Sequence, residues 1–185
     1  FPEINSLVNI SKIQVWVTNR TGTVTGVRDV MCFMDLGEAN PYVQSLTDPS
    51  NPIRNGLPDN NANRLYGQLT QNKLLSRLQS SATNTAGRLG LTQGQDFERT
   101  TARQLTASEF SFNPRLGYIM LYAQLNADEV LGVAFRYTYK GKVYQVGEFA
   151  EDLPPDSSNS KVLFLKLMKG TASRPTLPVW DLMMK

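Results

Sequence analysis

Histidine is absent from this 185-residue sequence. Zinc sites of the HExxH kind, imidazole-based serine or cysteine triads and histidine acid-base chemistry are therefore excluded. Cysteine is nearly absent too: Cys32 stands alone in the apolar run 30–36 and cannot form a disulfide within the chain. Only Arg28 lies near enough in sequence to lower its pKa, so Cys32 reads as a small buried hydrophobe. Charge of one sign is scarce as well, because 19 basic residues face 16 acidic ones and leave a net charge of +3. A balance so weak and dispersed marks neither a nucleic-acid partner nor a lipid surface. No run of about 18 apolar residues is available to cross a membrane as a helix. The length suits one soluble domain, residues 1–185, with its own core, and a sequence starting at Phe1 reads as a fragment of a much larger protein.

What is present is a strong strand signal. In residues 129–149 (EVLGVAFRYTYKGKVYQVGEF) the bulky side chains Leu131, Val133, Phe135, Tyr137 and Tyr139 alternate with smaller or polar ones, the period of a β-strand. Lys140-Gly141 supplies a two-residue turn that needs positive φ, which Gly141 adopts freely. The implied hairpin sets Tyr137 against Tyr144, Phe135 against Val146 and Phe149 over Gly132. Such cross-strand pairs stabilise by roughly 0.2 to 1 kcal/mol each.

Residues 10–18 predict another strand, and 27–36 a strand apolar on both faces, as a central strand would be; the two are expected to pair antiparallel. Residues 37–63, rich in proline and asparagine, predict a long loop. The helical region is expected at 64–105: one amphipathic helix over 64–80, open to interruption near Gly67, a polar linker over 81–94, and a short second helix over 96–105 capped by Asp96. Strands follow at 108–112 and 117–122 around Asn113-Pro114. After an exposed turn region at 152–160, residues 161–169 give a last strand with Leu163, Leu165 and Leu167 on one face and Val162, Phe164 and Met168 on the other. The C-terminal sheet thus spans 108–169 and the tail 170–185. The expected class is α+β: a mainly antiparallel sheet of about six to seven strands, a sandwich being one option, with one or two short helices.

Chemically reactive constellations are poor. Asp35 with Glu38, Asp128 with Glu129, and Glu148 with Glu151 and Asp152 are the carboxylate groupings. A glycosidase needs two carboxyls roughly 5 to 10 Å apart across a cleft, whereas solvated strand ends account for these pairs more simply. The last grouping lacks the DxDxDG pattern of a calcium loop. No catalytic residue, metal site or cofactor is expected. Trp16, Tyr118, Tyr122, Tyr137, Tyr139 and Tyr144 could form a binding platform, but core packing is the commoner role of aromatics on a sheet. Trp16, Tyr118, Tyr122 and Trp180 are the candidates for an interaction surface. The triplets at Asn9 and Asn19 match glycosylation acceptors, a pattern frequent by chance, and carry no function here.

Several blocks, in order along nearly the whole chain, resemble one family. They are KIQVWVTNRTG (12–22), VMCFMDLGE (30–38), DFERTTARQL (96–105), RLGYIML (115–121), LNADEVLGVAFRYTYKGKVYQVGEF (125–149), LFLKLMK (163–169) and LPVWDLMMK (177–185). The family is SprA/Sov, the outer-membrane translocon of the type IX secretion system of the Bacteroidota, also described as a gliding-motility and cell-surface protein. The resemblance implies a fragment of a very wide β-barrel through which cargo crosses the outer membrane. This segment lacks a series of lipid-facing strands of about ten residues, so it is expected to be a soluble insertion rather than barrel wall, without catalysis of its own. Its expected partners are the remainder of the barrel and other secretion components or cargo proteins; nucleic acid and direct membrane insertion are not expected. The location implied is the outer-membrane complex, with external, luminal and periplasmic sides all open. The alternative is a glycan- or protein-binding module of a bacterial surface protein.

Overall fold

The computed structural model describes residues 7–48, 56–72, 75–154, 161–172 and 174–182. Among these described residues eight strands carry the fold: β1 (Val8–Thr18), β2 (Val27–Phe33), β3 (Phe97–Gln104), β4 (Phe110–Asn113), β5 (Tyr118–Leu121), β6 (Leu131–Tyr139), β7 (Lys142–Val146) and β8 (Leu163–Lys169). Two helices, α1 (Leu65–Thr70) and α2 (Gln79–Arg88), accompany them, with 3-10 turns at Gln44–Leu46, Leu75–Arg77 and Pro178–Leu182. The class is α+β and mainly β, as the alternation of the sequence requires.

The main sheet closes on itself. Trp16 pairs with Gln104 of β3 on one edge of β1 and with Gly132 of β6 on the other. Ala102 likewise links β1 to β2, and Val30 links β3 to β8. Lys166 of β8 then pairs with Phe33 and with Val133 of β6. The ring β1, β3, β2, β8, β6 and back to β1 is a small barrel rather than a sandwich, antiparallel except where β2 meets β8. Closure removes the exposed edges that an open sheet would present. The expected direct pairing of β1 with β2 does not occur, because β3 lies between them.

The barrel interior is filled by alternate residues: Trp16, Val30, Cys32, Ala102, Ala134, Leu163, Leu165 and Leu167 belong to one buried cluster, joined by Phe149, Leu177 and Val179. Space is tight enough to require Gly132, where a Cβ would stand 2.5 Å from the Cys32 sulfur. On the outside, Met31, Phe33, Phe97 and Phe164 pack beneath Leu65 and Leu69 of α1 and Ala82 and Ala86 of α2. Val15, Val17, Leu131 and Val133 form a second outer patch, covered by Phe110, Ile119 and Leu121. The two faces expected for the last strand are therefore occupied as the alternation demands.

The β6–β7 hairpin keeps its expected register, with Tyr137 stacked on Tyr144 at 5.2 Å between ring centres. Lys140 and Gly141 both take positive φ, 47° and 76°. The ladder stops at Val146, however, and Gly132 pairs with Trp16 and Leu167 instead of lying under Phe149. At Gly147, with φ of 75°, a Cβ would come within 3.1 Å of the Ala134 Cβ, so the chain turns there and frees that edge of β6 for β8.

The region 64–105 departs most from expectation. The first helix is short, and a 3-10 turn follows it; Lys73 and Leu74 lie outside the described residues, as do 155–160 of the turn region and Met183 to Lys185 of the tail. The expected linker holds α2, and the expected second helix is β3. Asp96 caps no helix: its carboxylate accepts the Thr92 N–H at 2.8 Å, closing the loop before β3. The long loop 37–63 is anchored by buried asparagines. Asn60 exchanges two hydrogen bonds with the Gly147 backbone, and Asn63 accepts the Leu65 N–H while donating to the carbonyls of Asp35 and Glu38.

Candidate interaction surface

The four residues expected to form an interaction surface do not meet. Trp16 is 1% exposed, so it belongs to the barrel core, and its indole N–H finds no hydrogen-bond partner among the described residues. Its outward neighbours Val15 and Val17 are covered as well, because β1 is lined on both faces. Trp180 sits half-buried in the 3-10 turn Pro178–Leu182, whose Leu177 and Val179 neighbours enter the interior cluster. Tyr118 and Tyr122 alone are open, 42% and 62% exposed, and Met120 between them is 54% exposed.

These three side chains owe their position to a separate two-stranded ribbon, β4 with β5. Phe110 faces Leu121 and Phe112 faces Ile119 across it, while Ser111 faces Met120 and Asn113 faces Tyr118. Opposed residues share a face, so Phe110, Ile119 and Leu121 press on the barrel. Tyr118, Met120 and, one step further, Tyr122 then fall on the outer face. A stripe at i, i+2 and i+4 runs about 13 Å along an extended strand.

Local polar contacts hold the ribbon in place. Asn113 accepts the Arg115 and Leu116 N–H groups at 3.0 and 2.9 Å, shaping the connection, and the Pro114 carbonyl accepts the Ile10 N–H of β1 at 2.9 Å. At the other end Glu109 accepts from the Thr106 N–H and hydroxyl and pairs with Arg103 of β3 at 2.8 Å. The Thr106 N–H, joined by Arg103, holds the Glu109 carboxyl below the usual carboxylate range.

The carboxylate groupings of the sequence are used elsewhere. Asp35 accepts the Tyr42 and Val43 N–H groups, with burial raising its pKa, and Glu38 pairs with Lys166. Asp128 pairs with Arg20, whereas Glu129 accepts from Asn126. Glu148 is buried: it receives Arg77 at 2.7 Å, the Tyr66 hydroxyl at 3.0 Å and the Phe164 N–H at 3.0 Å. Burial, reinforced by this carboxylate, pushes the Tyr66 phenol up to about 12. Glu151 instead meets Lys12 and Gln14, so it does not join Glu148 in an oxygen cage. Among the described residues no group of three or more carboxylate or thiol side chains stands close enough to hold a metal ion.

One further concavity, of about 800 Å³, lies between α1 and α2. Its lining mixes the polar Gln68, Gln71, Asn84 and Arg88 with Leu69 and Leu75, and includes no aromatic ring. Within the described residues, the exposed aromatic face of the β4–β5 ribbon is thus the surface whose composition sets it apart. Aromatic residue type pointed to its two tyrosines but not to Met120, whose exposure follows from strand alternation once the inward face is known. No family model matches the chain, and no curated protein does.

Proposed function

We propose that this chain is a non-enzymatic interaction domain of a SprA/Sov-like outer-membrane translocon of type IX secretion, and that it docks a protein partner through the outer face of the β4–β5 ribbon. The observation that carries the reading is the stripe Tyr118, Met120, Tyr122, three large side chains exposed together along β5 and one residue past its end, with the opposite face of the strand packed. Tyrosine and methionine are enriched where proteins meet: tyrosine offers large contact area at little ordering cost, and the flexible thioether of methionine adapts to the surface it meets. The block resemblance supplies the setting, a translocon with barrel, accessory and cargo proteins at hand. The buried acids support the same reading, because Glu148, Asp35 and Glu129 are each occupied by donors that tie segments of the fold together.

The test is the intact parent carrying Tyr118→Arg and Tyr122→Arg. Both side chains are exposed, so folding and membrane assembly should be retained while export of cargo falls several-fold. Unchanged export by a normally assembled double variant would remove the docking role.

A further inference from the structure

Resting on that reading, we infer how the docking occurs: an extended polypeptide segment from a partner adds a third strand along the open edge of β5. Tyr122 donates its N–H to the Glu109 carbonyl at 3.0 Å, which marks that pair as hydrogen-bonded. Bonded and non-bonded pairs alternate in an antiparallel ladder, so Ser111 with Met120 and Asn113 with Tyr118 are bonded pairs too. The N–H and C=O groups of Ile119 and Leu121 consequently point away from β4. Among the described residues no backbone bond takes them, and β4 is the sole strand partner of β5.

A row of free backbone donors and acceptors at strand spacing has one natural complement, the backbone of another extended chain. The open edge of β7 is treated differently. On β7 Lys142 is exposed, and the Asn60 N–H already occupies the Gln145 carbonyl at 2.8 Å. Charge and a covering loop are the usual protections of an edge. The β5 edge, Tyr-Ile-Met-Leu, carries no charge, proline or bulge. The β4 edge is less suited to a partner, since its outer-face residues are Ser111 and Asn113, whereas an incoming strand beside β5 lies next to Tyr118, Met120 and Tyr122. Main-chain bonds would supply register, and apolar or aromatic side chains at alternate positions of the partner would pair with the stripe.

The experiment selects displayed peptides on the full 185-residue chain, then resynthesises the tightest binder with single backbone N-methyl groups at successive positions. Because the methyl group sits on the probe, the fold of the domain is not at stake. Strand addition predicts that methylation at alternate residues weakens binding by about tenfold or more, as loss of a paired backbone group should, while intervening positions tolerate it; Tyr118→Arg should abolish capture. A binder lost on Tyr118→Arg yet indifferent to N-methylation at every position overturns strand addition and leaves the docking face standing. Recovery of no binder overturns strand addition, whereas the export assay on the parent judges the docking reading separately.

Discussion

Gly132 has no side chain to contribute, yet the interior packing depends on it. It lies on β6, Cys32 lies on β2, and β8 runs between them, so the 2.5 Å approach that a Cβ at this position would make to the Cys32 sulfur is a contact through the interior of the ring. Leu165 stands only 3.2 Å from the same point. Overpacking of this kind costs typically about 1 to 3 kcal/mol, and Gly132→Ala should lower the urea midpoint accordingly. Combining it with Cys32→Ala removes the sulfur, so the double variant should be less destabilised than the sum of the two single changes. Strict additivity would mean that the two residues do not meet. Residue type explains much at this scale: Cys32 is a small hydrophobe, and burial raises its thiol pKa above the ordinary range, in keeping with its reading from sequence. Trp16 was the misplaced residue. Alternation assigns it to one face of a strand, but when both faces of β1 are covered no face belongs to solvent.

Among the elements, the ribbon is the one whose attachment can be titrated. Glu109 fastens the connection from β3 into β4 through Thr106 and Arg103. Its carboxyl is held below the normal range, so its contribution to stability is full above the unfolded carboxylate pKa of about 4.3 and is lost as pH falls through the lower folded value. Glu109→Gln should therefore destabilise at neutral pH, by less than about 1 kcal/mol because the pair is partly solvated. The difference from the unaltered chain should shrink in urea titrations as pH is lowered through that folded value; a gap that persists unchanged in acid would contradict this. The hairpin β6–β7 was legible because aromatic alternation, turn chemistry and register all agree. By contrast β3 and α2 were exchanged. FERTTARQ places charged residues on both faces, with Glu98 turned inward to accept from Thr171, and no apolar alternation betrays a strand. α2, QSSATNTAGR, has little helical propensity of its own and is held by burial of Ala82 and Ala86 against α1 and the barrel, a tertiary cause that local pattern does not carry.

For the whole molecule, closure of the ring decides what remains available for contact. The helices cover the outside over β2 and β8, and the β4–β5 ribbon covers β1 and β6 while keeping its own outer face free. Barrel closure was not legible in the sequence, since it depends on β1 pairing at once with β3 and β6, one of them remote by more than a hundred residues. The separate ribbon was legible only as two short strands around Asn113-Pro114; its detachment from the main sheet makes a surface of it. Whether this face meets a partner is decided by site-specific photo-cross-linking in the intact parent, with the photoreactive residue placed at Met120 or at Val143. Val143 is 64% exposed on β7 and serves as the matched control. A docking face at β5 should give a discrete adduct to a second polypeptide from position 120 and none from 143; equal labelling at the two positions, or no adduct at 120, would contradict it.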